Sequence, residues 1–264
     1  MTEYYELLLP GEYYHIYNRA VGNEKLFLNS ENYTFFLKKC DKYLPLISDT
    51  FCYCLLPNHF HLFLRIKELL DLENSYKMLK GKQISLLDSH FVDQFLVGQF
   101  SNLCSSYAKS FNKVYSRKGR LFVDPFSRKI VKSDSHFNTL VFYIHGNAVH
   151  HGYCRNLEDW PHSSYLQIVN KQKQFQPQFK VCREEVLNWF GGIDNFKLYH
   201  NKADYGNLIL SMKKCYCCKK TAKREPADFR NRPDKKNTDL KNPLVLKGAS
   251  SRRKYFPMRH IFLF

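Results

Sequence analysis

The chain has 264 residues, with 41 Lys and Arg against 24 Asp and Glu, and therefore a formal net charge of +17. A chain of this length can bury a sizeable core as one large or two small domains. A positive field of this size attracts polyanions. Nucleic acid is thus the first candidate partner, and an anionic membrane surface is the second.

The sequence lacks the apolar segments that membrane insertion and secretion require. No apolar run approaches the ~20 residues of a membrane-spanning helix, and the N-terminus has no charged segment followed by an apolar one. The 9 cysteines are scattered and odd in number, which favours free thiols over a disulfide framework. We therefore expect a soluble cytoplasmic protein, associated with the nucleoid, with no membrane partner.

The N-terminal part predicts a strand, a helix and a hairpin. Residues 12–19 are rich in aromatic side chains and predict the first strand. Ser30 is the expected N-cap of a helix over 31–43, whose apolar residues return at spacings of three and four. Residues 51–56 and 59–66 predict two further strands, which a Pro-Asn pair separates.

The strand over 59–66 carries the first candidate site. Side chains of a strand alternate between its faces, so His59 and His61 share one face with Phe63 and Arg65. The opposite face is entirely apolar. Two imidazoles side by side can bind one metal ion, but half-buried strand histidines satisfied by their neighbours would give the same pattern.

The central part of the chain predicts the remaining elements of one fold. Residues 67–95 have mixed character and form an excursion, whereas 98–115 show the period of an amphipathic helix. A short strand over 126–131 precedes a helix over 135–149, which Ser133 or Asp134 caps. The order β-α-β-β-α-β predicts an α+β, ferredoxin-like antiparallel sheet with helices on one face and strands one and three in the middle.

The helix over 135–149 has a polar stripe beside its apolar stripe. At about 100° per residue, His136, Tyr143, Asn147 and His150 fall about a quarter turn from the core positions. Tyr143 and Asn147 lie four residues apart and hence one above the other. This pattern fits a helix packed beside a functional site, and it fits an ordinary solvated flank equally well.

The C-terminal part divides into three regions. A closing loop over 158–165 ends a catalytic domain over 10–165, and a helical extension over 166–205 includes a helix over 184–190 ended by two glycines. The tail over 206–264 is basic, with 16 Lys and Arg against 4 Asp and Glu from residue 211 onward, and is expected to be flexible. Its Cys215, Cys217 and Cys218 are free thiols or half of a zinc site.

Several short motifs together resemble one family. They are YHIYNR at 14–19, LPNHFHL at 56–62, GRLF at 119–122, YIHGN at 143–147 and WPHSSY at 160–165. In this order and at these spacings they resemble the single-tyrosine HUH transposases, in the branch called REP-associated tyrosine transposases. The resemblance covers about residues 10 to 205. It departs from the common pattern at Ala148, where many relatives have proline.

The resemblance assigns roles to the candidate residues. It implies that His59 and His61 are the two HUH metal ligands, that Asn147 is the third, and that Tyr143 is the nucleophile. The implied cofactor is a divalent Mg or Mn ion. The implied activity is nicking and strand transfer of single-stranded or hairpin DNA through a 5′-phosphotyrosine. His145 and His150 are candidates for proton transfer or phosphate contact, although their place at a helix end fits ordinary surface histidines equally well.

Basic side chains near these motifs are candidate DNA contacts. They are Arg19, Arg65, Lys113, Arg117, Lys118, Arg120, Arg128 and Lys129. Together with the tail they predict binding that weakens steeply with salt. Two other function classes stay open: a catalytically silent protein of the same fold that binds hairpin DNA or RNA, and a small-molecule metal hydrolase. We expect a monomer, with a homodimer that shares Tyr143 between subunits as the alternative.

Overall fold

The computed structural model of the protein describes residues 6–82, 88–132, 134–170 and 179–202. A four-stranded antiparallel sheet runs through this part of the chain. Its strands are β1 (Tyr13–Arg19), β2 (Ser48–Leu56), β3 (His59–Ile66) and β4 (Ser127–Ile130), in the order β2-β3-β1-β4. Strands one and three are central, as the β-α-β-β-α-β order predicts.

Seven helices accompany the sheet in the described residues. They are α1 (Ser30–Tyr43), α2 (Leu69–Lys80), α3 (Ser89–Val114), α4 (Asp134–His150), α5 (Tyr165–Val169), α6 (Arg183–Phe190) and α7 (Ile193–Lys202). None of the helices in these ranges is long and apolar enough to cross a membrane. The six cysteines in the same ranges are free thiols, as expected.

Two helix starts differ from the sequence prediction. The N-cap of α1 is Asn29 and not Ser30, because Asn29 has an extended backbone and its side chain accepts a hydrogen bond from the Asn32 amide. Helix α3 begins at Ser89, well before the predicted residue 98. Its apolar stripe extends toward the N-terminus through Val92 and Leu96, which are both buried. The charged residues of that segment obscure the helical period of the apolar positions.

The sheet separates two apolar cores. Helices α1 and α3 pack on one face, against Phe60, Leu62 and Leu64 of β3. Helix α4 packs on the other face, against Phe51 and Phe63. The prediction of helices on one face therefore holds for α1 and α3, while α4 covers the second face. That second face is the one onto which His59 and His61 point, because side chains alternate along β3.

The loop after α4 is tied to β2 by backbone and side-chain hydrogen bonds. The Ser164 amide donates to the Tyr53 carbonyl at 3.0 Å, and the Trp160 indole donates to the Leu55 carbonyl at 3.0 Å. An isolated bridge pairs Cys54 with Ser163. The loop thus pins the core, as its sequence suggests.

The predicted helical extension contains one more helix than the sequence indicates. Helix α6 ends at Gly191, whose left-handed backbone fits the predicted glycine stop. A further helix, α7, then follows, and its Phe196 is buried against α4 and α5 residues. The predicted tail over 206–264, with Cys215, Cys217 and Cys218, lies outside the described residues.

Candidate active site

Strand β3 presents His59 and His61 to helix α4. The two side chains are 4% and 0% exposed, and their ring centroids lie 5.2 Å apart at an interplanar angle of 89°. A strand places residues i and i+2 on one face, so the two rings are neighbours because of the His-x-His spacing. Both imidazoles are therefore held within one buried space.

A hydrogen bond orients the ring of His59. Its Nδ1 lies 2.8 Å from the Asn58 side-chain oxygen, which can only accept a hydrogen bond. Nδ1 must therefore carry the proton, and in the neutral ring the lone pair is on Nε2. This is the tautomer in which a histidine can bind a metal ion through Nε2 while a neighbour holds its other nitrogen.

His61 has a histidine partner, His15, which the sequence did not predict. His15 Nε2 lies 2.9 Å from His61 Nδ1, and His15 is 6% exposed. In the β1–β3 register His15 is opposite Phe63 and Tyr17 is opposite His61, so His15 and His61 are diagonal neighbours. The YHIYNR motif contains His15, but only the strand register shows which ring it reaches.

Helix α4 runs antiparallel to β3 across the two histidines. The Tyr143 ring lies 5.7 Å from the His61 ring, and the His151 ring, just past the end of α4, lies 5.1 Å from the His59 ring. Asn147 is four residues from each of them, on the same side of the helix. It therefore lies on the side of α4 that also carries these two contacts. Both Tyr143 and Asn147 are buried, which excludes the solvated-flank interpretation.

The amide of Asn147 has a fixed orientation and one unused acceptor. Its nitrogen donates to the Tyr143 carbonyl at 2.7 Å. Its Oδ1 is buried and, within the described residues, has no hydrogen-bond partner. A buried carbonyl oxygen without a partner costs about 1–3 kcal/mol, so such an atom calls for an explanation. A cation next to the two imidazoles would supply one.

The donor set suits a divalent cation. Two imidazole nitrogens and one amide oxygen form a mixed set that Mn²⁺ or Mg²⁺ can accept. In the described ranges no three His, Cys, Asp and Glu side chains form a metal-binding group. Asn147, with its buried Oδ1, is therefore the candidate for a third ligand beside the two imidazoles.

Tyr143 faces the histidines of its own chain. The ring is 2% exposed and contacts His61 and His15, with centroid distances of 5.7 Å and 6.0 Å. The candidate nucleophile and the candidate ligands therefore belong to one site within one chain. A shared, composite site is not needed to bring them together.

His145 lies on a different side of α4. It is 1% exposed, its Nδ1 is 3.2 Å from His200 Nε2, and its Nε2 is 2.9 Å from Ser164 Oγ. His200 donates in turn from Nδ1 to the Phe196 carbonyl at 2.8 Å. Burial lowers the pKa of both rings, that of His200 to about 4. This geometry gives His145 a packing role and does not support the predicted phosphate contact or proton transfer.

His150 is exposed at the end of α4, and partial burial lowers its pKa. Its ring lies 5.1 Å from that of His151, which itself contacts His59. His150 is therefore near the candidate site, and its contact with His59 runs through His151. A phosphate contact by His150 stays a prediction.

The candidate DNA-binding cations have different surroundings. Arg19 is opposite His59 in the β1–β3 register and hence on the same face of the sheet. Arg65, Arg117 and Arg128 form ion pairs with the carboxylates of Asp49 and Glu185, of Glu24, and of Asp93, respectively. The side chains of Lys113, Lys118, Arg120 and Lys129 are exposed. Arg19, opposite His59, and Lys129, opposite His15, thus lie on the sheet face of the candidate site.

The fold and the candidate site belong to one structural class. In this class an antiparallel sheet has a His-x-His strand, and a helix beside that strand carries Tyr and Asn one turn apart. The sequence comparison points to the same class. The chain is 26% identical, over 124 residues, to a putative REP-associated tyrosine transposase of Haemophilus influenzae (strain ATCC 51907 / DSM 11121 / KW20 / Rd). The match covers 47% of this chain and 62% of that protein. The predicted resemblance to the REP-associated tyrosine transposases is therefore confirmed over this stretch.

A solved structure is also similar to the chain. It is the structure of a REP-associated tyrosine transposase bound to a REP hairpin, with a TM-score of 0.45 and 17% identity. The similarity covers 68% of this chain and 94% of that chain. No family model matches the chain.

Proposed function

We propose that this protein nicks and rejoins single-stranded DNA next to hairpins, in the manner of a transposase with one catalytic tyrosine. The observation that carries the proposal is the buried Oδ1 of Asn147, which has no partner in the described residues. Tyr143, one helical turn away on α4, contacts His61. The four-residue spacing of Tyr143 and Asn147 supports a common site with the two histidines.

The reaction is a transesterification. The Tyr143 hydroxyl loses its proton as its oxygen attacks the scissile phosphorus, and the bond from phosphorus to the 3′ oxygen breaks. The products are a 5′-phosphotyrosyl bond and a free 3′-OH, so the number of phosphate ester bonds does not change. Attack by a 3′-OH reverses the step and rejoins strands without an external energy source.

His59, His61 and Asn147 would hold the divalent ion, through two imidazole nitrogens and the amide oxygen. When bound, a Mn²⁺ or Mg²⁺ ion polarises the scissile phosphate and stabilises its developing negative charge. Asn58 and His15 contact the Nδ1 atoms of His59 and His61, at 2.8 Å and 2.9 Å. Their role is to hold the ligand rings in position.

Hairpin DNA is the proposed substrate. The solved structure that resembles this chain holds a REP hairpin, and the curated relative is named as a transposase. The charge of +17 favours a polyanion. Arg19, on the same face as His59, is the proposed contact for the phosphate next to the scissile one.

The site must open when DNA binds, because Tyr143 is 2% exposed. Catalytic hydrogen bonds and access routes often form only in the substrate complex, so a closed free state is compatible with activity. A protein that binds hairpins without cutting them would show the same burial. The adduct assay below separates the two functions.

The test uses end-labelled hairpin DNA with single-stranded flanks, taken from the repeats of the source genome. We expect a covalent protein–DNA adduct with Mn²⁺, and its loss in Tyr143→Phe while DNA binding is retained. Chelation of the metal should abolish the adduct and leave binding in place. A wild-type protein that binds the hairpins but gives no adduct on any of them would overturn the nicking activity and support the silent binding protein.

A further inference from the structure

A row of aromatic rings leads from His59 to the protein surface. His59, His151, Tyr153, Trp160 and His162 follow one another with centroid distances of 5.1, 6.4, 5.5 and 5.3 Å. At the far end, His162 stacks flat on Tyr33 of α1 at 3.6 Å and 4°. We call His151, Tyr153, Trp160 and His162 the aromatic row. It begins at the candidate metal site and continues away from it.

The first half of the aromatic row is fixed by the end of α4. Gly152 has a left-handed backbone, with φ +69°, and its amide donates to the Val149 carbonyl at 3.0 Å. The Tyr153 amide donates to the Ala148 carbonyl at 2.9 Å. These two bonds form a Schellman motif. The motif places the rings of His151 and Tyr153 immediately after the helix that carries Tyr143.

The second half of the aromatic row is fixed by β2. The Trp160 indole donates to the Leu55 carbonyl at 3.0 Å, and the His162 carbonyl accepts from the Leu55 amide at 2.9 Å. Burial lowers the pKa of His162 to about 4, so its ring is neutral at pH 7. The rings are thus held by the sheet and are already in place before a ligand arrives.

The aromatic row is accessible, and a basic side chain is near it in the sequence. Tyr153 is 43% exposed, while His151, Trp160 and His162 are half-buried. Arg155 is exposed two residues from Tyr153. Hydrogen bonds orient the two nearby carboxylates: Asp159 accepts from Asn156 at 2.9 Å, and Glu158 accepts from Tyr165 at 3.2 Å.

We propose that the aromatic row is a binding site for unpaired bases of single-stranded DNA, and that it guides the strand to the site of Tyr143. Successive bases stack on aromatic side chains in proteins that bind single strands, without regard to sequence. Tyr153 is the principal platform because its ring is the most exposed. The direction of the strand toward Tyr143 rests on the proposed function, but the stacking itself does not.

The experiment measures binding to two probes that differ only in their bases. One is fluorescein-labelled dT12, and the other is a twelve-unit abasic oligonucleotide with the same backbone. We expect Tyr153→Leu to weaken dT12 binding by about 5-fold to 100-fold, the range for loss of one stacked base. Binding of the abasic probe should change less than 2-fold, an estimate that follows from unchanged phosphate contacts.

Two further variants make the result specific. Tyr153→Phe keeps the ring and should bind dT12 like the wild type. Tyr43→Leu removes a half-buried tyrosine at the opposite end of α1 from Tyr33, about 15 Å away along the helix, and should leave dT12 binding unchanged. Equal affinity of Tyr153→Leu and wild type for dT12 would overturn the proposal, and so would equal losses for both probes.

The outcome is independent of the nicking activity. If Tyr153→Leu loses dT12 affinity while the wild type forms no adduct, the base-stacking site stands and the enzymatic proposal fails. If the wild type forms the adduct but Tyr153→Leu binds dT12 normally, the enzymatic proposal stands and the stacking site fails.

Discussion

The buried pair of His145 and His200 makes the stability of the protein sensitive to acid. Because the Phe196 carbonyl can only accept, His200 Nδ1 donates to it, and His200 Nε2 then accepts from His145 Nδ1. His145 Nε2 in turn accepts from the Ser164 hydroxyl. The His200 ring is satisfied only when it is neutral. Protonation of His200 would place two donors, its own Nε2–H and the Nδ1–H of His145, against each other.

The magnitude follows from the pKa of His200. Burial lowers this pKa to about 4 in the folded chain, whereas an unfolded chain has a value of about 6.5. The folded state therefore loses stability as the pH falls below about 6.5, and the loss is complete near pH 4. At pH 5 the loss is about 2 kcal/mol, since the unfolded state binds the proton and the folded state does not. His145 acts in the same direction.

Urea unfolding at pH 7 and pH 5 tests this reasoning. We expect His200→Gln, which cannot titrate but can still donate to Phe196 and accept from His145, to lose about 2 kcal/mol less than the wild type between the two pH values. The difference corresponds to a midpoint shift on the order of 1 M urea. The histidines that do not contact His200 are common to both proteins and cancel. Equal losses in wild type and His200→Gln would refute the assignment.

Three further predictions concern the site and its support. His15→Leu should weaken Mn²⁺ binding, measured by calorimetry, about 10-fold to 100-fold, because the His61 ring loses its partner; an unchanged affinity would count against the positioning role. Mn²⁺ should raise the melting temperature of the wild type but not of Asn147→Leu, which lacks the unused oxygen; a matching rise in the variant would exclude Asn147 as a ligand. Gly152→Ala should cost about 1 kcal/mol of unfolding free energy, since φ at this position is +69°; a change within about 0.3 kcal/mol would contradict the Schellman ending.

Much of the fold and the centre of the site could be predicted from local spacing. The alternation along β3 gave the common face of His59 and His61, and the four-residue spacing on α4 gave the common side of Tyr143 and Asn147. These features depend only on the geometry of one strand or one helix. The β-α-β-β-α-β order then determined which strands are central.

The parts that were missed depend on contacts between distant segments. His15 reaches His61 only because of the register of β1 against β3, across 46 residues of sequence. His145 lies about 200° around α4 from Tyr143, and α7, which the sequence did not predict, contacts it there through His200. The aromatic row combines the end of α4 with a loop on β2. No periodicity within one segment encodes such pairings.

The attachment point of DNA on the protein tests the central claim most directly. After reaction of the full chain with a hairpin oligonucleotide and Mn²⁺, nuclease digestion and peptide mass spectrometry locate the residual nucleotide. We predict a 5′-phosphotyrosyl nucleotide on the peptide that contains Tyr143, and an unmodified peptide when Asn147→Leu is treated in the same way. A nucleotide attached to any other residue, or a nicked product with no covalent intermediate, would contradict the account.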